Sequence, residues 1–261
     1  MIASVIMIIT VFVSYHYIPY ANTDNTENYT LTPEDLIVTI FDVGHGDTIF
    51  VHHNDSDMLI DCGGYYPDLK IRDYVIRNNI KDLDYVIITH DHMDHTSALT
   101  DVMTMTKVNK LITNDDIKRN DKIQFGDIDI IVLNPPEKEY YSNENDNSIV
   151  LMMEYDGIKL LLEGDAEHVA ERNMINSELD LDCDILKVAH HGSDTSTSEE
   201  FIKASTPSIS IVSTQDDINT SFDDSVRKTL EDIGSRVYTT PEYGDIVVTV
   251  NDGEYTIVTE K

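Results

Sequence analysis

The sequence predicts one layered α/β domain, and three observations lead there. Short apolar runs rich in β-branched residues, such as Leu36-Ile37-Val38-Thr39-Ile40-Phe41 and Tyr85-Val86-Ile87-Ile88, read as strands. Stretches with helical spacing alternate with them, over Asp68 to Asn79, Thr96 to Met105 and from Glu167 onward. Histidines and aspartates concentrate in the turns that follow the strands. At 261 residues the chain has room for one large domain or two small ones, and the continuous alternation favours one.

The apolar run Ile2 to Val13 stands apart from this pattern, interrupted only by Ser4 and Thr10. With the weaker tail Ser14 to Tyr20 it approaches spanning length, and Tyr15, Tyr17 and Tyr20 suit an interfacial belt. No Lys or Arg precedes Lys70, so the basic start of a signal peptide is missing. The expectation is an uncleaved membrane anchor over 1–20, preferred over a removed signal, with a buried core segment third. Residues 21–35, rich in Asn, Thr and acids, read as a polar linker, leaving 36–261 as an extracytoplasmic domain, anchored or exported.

Within that domain the first strand leads into Asp42-Val43-Gly44-His45-Gly46-Asp47, where two glycines permit a tight reversal that carries His45 and Asp47 toward the strand ends. Thr48 to Val51 and Met58 to Asp61 read as paired strands around a polar turn, the second ending in Asp61-Cys62-Gly63-Gly64. Next comes the densest concentration of donors, Thr89-His90-Asp91-His92-Met93-Asp94-His95, on a strand-to-helix turn. Neutral imidazole suits Zn, Mn, Fe or Ni, and aspartate adds a hard oxygen.

Strands over Lys110 to Thr113 and Ile128 to Leu133 follow, then the polar stretch Asn143 to Ser148 before the strand Ile149 to Glu154. Lys159 to Asp165 is a strand ending in Gly-Asp, which leaves Asp165 either facing a cation or capping the next helix. Ile185 to Ser193 is a second ligand-bearing strand tip, with His190 and His191 before Gly192-Ser193. Ser198 is read as a helix cap and Ser193 is left open. Ser208 to Ser213 is another strand, Ser225 to Ile233 a helix, and Asn251-Asp252-Gly253 the turn of a terminal hairpin.

These motifs, in this order, resemble the metallo-β-lactamase fold, a superfamily of mostly two-metal hydrolases. Within it, the region from Leu36 to the C-terminus resembles the hydrolase domain of ComEC-type DNA-uptake proteins. The resemblance implies a four-layer α/β/β/α sandwich and two divalent metal ions, Zn or Mn first among the candidates. It assigns His90 and His92 to one metal and Asp94, His95 and His191 to the other, with Asp165 and a hydroxide bridging them. Asp94, Asp165 and His190 are the expected catalytic residues, although His190 and His191 could exchange roles, and Asp61 supports the ligands from behind. The family's third-motif histidine has no counterpart, since no histidine lies between His95 and His168, and Asn143 or Asn145 stands there. The family's Asn-x-Tyr-x-His-Pro segment is likewise missing from Gln215 to Asp224, which retains only Asn219.

The implied reaction is hydrolysis of a phosphodiester, with single-stranded DNA among the candidate substrates. Two other readings stand beside it: an exported metal-stabilised binding or assembly module with little turnover, and a lactone or acyl-ester hydrolase. Composition constrains all three. With 18 Lys+Arg against 49 Asp+Glu, a formal net charge of −31 repels polyanions and disfavours tight binding through phosphate contacts. Cys62 and Cys183 are too few for a disulfide framework or a cysteine metal site and read as small buried hydrophobes.

Overall fold

The computed structural model describes residues 35–138, 140–216 and 222–261. The expected anchor over 1–20, nearly all of the linker expected over 21–35, and Asn219 lie outside them. Among the described residues no helix is long and apolar enough to cross a membrane.

The first half of the chain lays down β1 (Leu36–Ile40), β2 (Thr48–His53), β3 (Ser56–Cys62), α1 (Pro67–Arg77) and β4 (Asp82–Ile87). The short helices α2 (Met93–Thr96) and α3 (Leu99–Met105) then lead to β5 (Lys107–Ile112). The second half continues with β6 (Lys122–Phe125), β7 (Ile128–Asn134), β8 (Val150–Tyr155), β9 (Ile158–Leu162), α4 (His168–Asn176) and β10 (Ile185–Lys187). After these come α5 (Glu199–Ser205), β11 (Ile209–Val212), α6 (Asp224–Asp232), β12 (Arg236–Thr239), α7 (Thr240–Tyr243) and the closing hairpin of β13 (Ile246–Asn251) and β14 (Glu254–Thr259).

The strands form two seven-stranded sheets, ordered β14-β13-β1-β2-β3-β4-β5 and β12-β11-β10-β9-β8-β7-β6. Each is mixed: β3, β4 and β5 run parallel in the first, and β9 to β12 run parallel in the second. Side chains alternate across a strand, and that alternation sorts the core into three seams. Val38, Ile60 and Ile87 of the first sheet meet Ile130, Leu151 and Leu160 of the second. On the outer face of the first sheet Leu59 and Val86 pack with Ile71 and Val75 of α1 and Val102 of α3. On the outer face of the second, Leu161 and Leu186 pack with Met174 of α4, Phe201 of α5 and Leu230 of α6. The result is the four-layer α/β/β/α sandwich expected. Each fully buried Leu or Ile contributes about 1.5–3 kcal/mol, against about 0–1 for an exposed ion pair such as Lys107 with Asp82, so the apolar seams hold the layers together.

One expected element starts later than expected: of Thr96 to Met105, Thr96 closes α2 and the helix α3 begins only at Leu99, with the Ala98 N–H between them donating to the Cys62 carbonyl at the end of β3 at 2.9 Å. Ser198 caps α5 as expected, accepting from the Phe201 N–H.

Candidate metal centre

The carboxyl ends of β3, β4, β9 and β10 converge on one edge of the sandwich, where open α/β sheets place their sites. Beyond β4, Thr89 is fixed by Asp61, which accepts from its N–H at 2.8 Å and its hydroxyl at 2.7 Å. Asp61 can face Thr89 and His95 together because its backbone is left-handed, φ 54°, a conformation aspartate tolerates. The His95 Nδ1 donates to Asp61 Oδ2 at 2.7 Å, which turns Nε2 toward Asp165, 3.2 Å from Oδ1. Gly63 permits this packing: a Cβ there would lie 1.9 Å from the Asp94 carbonyl oxygen.

Asp165 arrives from the other sheet. Gly164, at φ 54°, packs so closely that a Cβ would come within 3.0 Å of the Thr89 hydroxyl, and the Asp165 N–H donates to Ser148 Oγ at 3.1 Å. The α4 cap is Glu167, so Asp165 is not the helix cap and its carboxylate faces the imidazoles. After β10 the chain makes a tight turn in which His190 and His191 are both left-handed, at φ 47° and 55°. Such positions cost of order 1–3 kcal/mol each and persist where the surroundings over-determine them. The turn sends the two rings to different places. His191 is buried, its Nδ1 donates to the Ser213 carbonyl at 3.1 Å, and its Nε2 lies 3.5 Å from Asp94 Oδ2 and 3.7 Å from Asp165 Oδ1. His190 stays at the rim, with Nδ1 2.9 Å from the Thr195 hydroxyl and 3.2 Å from Glu167, and Nε2 3.9 Å from Asp165.

All six expected ligands are thereby brought together. Asp94, His95, Asp165 and His191 each offer an atom within 4.8 Å of the others. His90 Nε2 lies 3.0 Å from His92 Nδ1 and 3.7 Å from Asp165 Oδ2, extending the cluster to the exposed His92. A divalent cation fits the donor set. His95 Nε2, Asp165 Oδ1 and His191 Nε2 are buried without hydrogen-bond partners and converge on one point. Leaving a buried polar atom unsatisfied costs about 1–3 kcal/mol, which a shared cation at that point would offset.

Charge follows the same geometry. Burial pushes the Asp165 carboxyl upward, but His95 and His191 outweigh it and hold the group well below the carboxylate range. Burial likewise disfavours a charged His95, yet Asp165 and Asp61 raise it well above the ordinary imidazole value. Burial, with His95 adding, pushes His90 down to about 3, leaving a neutral imidazole of the kind metals bind.

Asn143 is exposed and donates to Glu167 at 2.7 Å, outside the cluster. Asn145 donates to Glu167 at 2.9 Å and lies 3.5 Å from His190 Nε2, with its own Oδ1 buried and unpartnered. Ser193 pairs with Thr195 at 3.1 Å beneath His190. Ser148 belongs to the polar stretch Asn143 to Ser148 that the sequence leaves open between a plain loop and a metal-facing cluster, whereas Thr195 and Lys187 escaped the sequence reading as members of the site. Ser148 lies 3.3 Å from His90 Nδ1, and Thr195 supports His190. Lys187, 1% exposed, forms a 2.8 Å ion pair with Asp47. Lys187 carried a signal, a cation at the end of an otherwise apolar strand, whereas nothing in local spacing marks Thr195. His45 does approach, with Nε2 3.4 Å from Asp94. Cys62 and Cys183 are buried free thiols that burial pushes upward.

Fold and site together define the metallo-β-lactamase fold, and residues 41–119 match the metallo-β-lactamase superfamily of metallo-hydrolases. In sequence the chain resembles ComEC-type competence proteins. It is 30% identical over 217 residues to ComE operon protein 3 of Bacillus subtilis, covering 67% of this chain and 28% of that protein. It is 24% identical over 222 residues to competence protein ComA of Neisseria gonorrhoeae, covering 80% of this chain and 30% of the relative. The chain thus spans less than a third of these relatives. Among solved structures, the metallo-β-lactamase fold protein YhfI of Bacillus subtilis matches with a TM-score of 0.57 at 12% identity, over 82% of this chain and 100% of that one. A CmlA β-hydroxylase mutant matches with a TM-score of 0.58 at 13% identity, over 84% of this chain and 55% of that one. A hydroxylase and a competence segment on one fold leave the reaction to be argued from the site.

Proposed function

We propose that the chain is a metal-dependent hydrolase of phosphodiesters that binds two divalent cations, Zn or Mn. One observation carries this reading: the unpartnered His95 Nε2, Asp165 Oδ1 and His191 Nε2 converge beside the His90–His92 pair. Asp94, His95 and His191 would hold one cation and His90 and His92 the other, with Asp165 reaching both. A bound pair supplies Lewis-acid charge and lowers the pKa of water. The remaining work falls to the chain's own groups. Asp61 and the Ser213 carbonyl hold the His95 and His191 rings in orientation. His190, at the rim beside Thr195 and Glu167, would touch the substrate and pass a proton to the departing oxygen.

The competing reading, a metal-stabilised binding module with little turnover, is favoured by the third-motif position, where Asn143 or Asn145 stands instead of a histidine and Asn145 reaches only to 3.5 Å from His190 Nε2. The deciding experiment measures metal content of protein purified without added metal, then turnover of a chromogenic diester, a monoester, a lactone, single-stranded DNA and duplex DNA. Metal-dependent diester cleavage that falls sharply in His191→Ala supports the proposal. Two bound metals with no diester turnover overturns it in favour of the lactonase or the non-catalytic module.

A further inference from the structure

Lys187 ends β10 and has no place in the ligand set, yet its ammonium is among the most deeply buried groups in the molecule. On the alternating pattern of β10, Lys187 shares the face of Ile185, which belongs to the seam between the sheets. At the site end of that seam its Nζ donates to Asp47 Oδ2 at 2.8 Å and to the Val188 carbonyl at 3.0 Å. Both partners of the ion pair are 1% exposed. Desolvating two charges is costly and seldom a net source of stability, so the pair asks for another reason.

The position of Asp47 supplies one. Its N–H donates to the Asp94 carbonyl at 3.1 Å and its carbonyl accepts from Gly63 at 2.9 Å, so the loop before β2 is fastened to the backbone of one expected ligand. Its Oδ1 has no hydrogen-bond partner and lies 3.8 Å from Nδ1 of another, His191. Its carboxylate also falls within 4.8 Å of the Asp61 and His95 atoms that face each other behind the site. Lys187 stands four residues before His191 on the opposite sheet. The ion pair is therefore a strut from the end of β10, just before the turn that carries His191, to the loop bonded to the Asp94 backbone, and the side chains of Asp94 and His191 face each other at 3.5 Å.

We propose that Lys187 and Asp47 are a positioning pair that fixes the spacing of Asp94 and His191 and places negative charge behind the His191 ring. The affinity of that half of the centre for a divalent cation then depends on the pair as well as on the ligands. Groups that orient a ligand imidazole typically change metal affinity 10–100-fold when removed, and although the His191 Nδ1 proton goes to the Ser213 carbonyl, Asp47 bears on that ring through its charge at 3.8 Å and on Asp94 through its backbone bond. The inference rests on the metal-centre reading above.

The test separates positioning from folding by neutralising both charges at once. Zn2+ affinity is measured on the full chain by competition with a chromophoric chelator, beside thermal melting in excess chelator and the Co2+ absorption spectrum. Lys187→Met alone strands a buried carboxylate and should lower both melting and affinity. The double variant Lys187→Met with Asp47→Asn should melt within a few degrees of the parent, yet bind Zn2+ about 10–100-fold more weakly and with an altered Co2+ spectrum. Lys187→Arg, which keeps the charge, should retain affinity to within a few-fold. A double variant with parental Zn2+ affinity overturns the inference alone, as does affinity that simply tracks melting across all the variants. A parent protein that takes up no Zn2+ or Co2+ overturns the metal-centre reading and the inference with it.

Discussion

Two residues before Asp165, Glu163 is completely buried, and neither of its carboxyl oxygens has a hydrogen-bond partner. Burial, with Glu171 adding, pushes its carboxyl well above the ordinary value of 4.5. The folded chain therefore keeps a proton that the unfolded chain releases above about pH 4.5, so this residue makes stability fall as pH rises through the interval up to the folded pKa. The slope is at most about 1.4 kcal/mol per pH unit. Glu163→Gln preserves the neutral shape and should flatten the fall, read as urea midpoints between pH 5 and pH 8; identical slopes in parent and variant would contradict it. At the cluster itself, Asp165→Ala should remove at least one ion, whereas Glu167→Ala, which alters the support of His190 and the Asn145 contact, should keep both. Elemental analysis finding full occupancy in Asp165→Ala would sink the bridging assignment.

At the scale of elements, one junction holds the site and another lies apart from it. The β3 end and the α2 turn interlock through Gly63, where any side chain meets the Asp94 carbonyl. Gly63→Ala should consequently cost more than an ordinary overpacking, about 1–3 kcal/mol or above, and should lose metal together with stability in one thermal-melting and metal-content measurement. The α5 start is held differently. The Ser198 hydroxyl accepts from Phe201 N–H, while the buried Glu171 accepts from the Thr197 and Ser198 N–H groups. With that second set of contacts intact, Ser198→Ala should cost only about 1 kcal/mol and leave metal binding unchanged, since the cap contributes to α5, whose Phe201 and Ile202 pack into the outer seam of the second sheet, and not to the ligand cluster.

For the whole molecule, charge sets how any polyanion can approach. With 18 Lys+Arg against 49 Asp+Glu, few cationic side chains are available for phosphate, and the proposed metal centre is a place where bound cations would reverse the field. Binding of single-stranded DNA should therefore require metal, and its log–log salt slope should stay at a magnitude of about 2 or less; a steep slope in metal-free protein would point to a basic groove instead. The apolar run over residues 2–13 supports a further proposal, that residues 1–20 hold the domain at a membrane. Fractionation that recovers the full chain as soluble protein in the cytoplasm would count against it.

Period and punctuation made much of this protein legible without coordinates. Strand runs, glycine turns and donor-rich strand ends carried the layered class, and the order of His90-x-His92-x-Asp94-His95, Gly164-Asp165 and His190-His191 carried the ligand set. Local chemistry marked these residues as candidate donors because each motif lies within a few residues of its own strand end, while their division between two metals came from the family resemblance. Tertiary structure decided what depends on long-range approach. It separated His191 from His190 through two consecutive left-handed residues, freed Asp165 from the capping role that spacing allowed, and delayed the start of α3 to Leu99, after the contact of Ala98 with Cys62. It also joined Lys187 to Asp47 across 140 positions of chain. No periodicity encodes that pairing: it arises because two sheets pack face to face and bring a strand tip and a loop into the same dry layer, where a charge persists only beside its opposite.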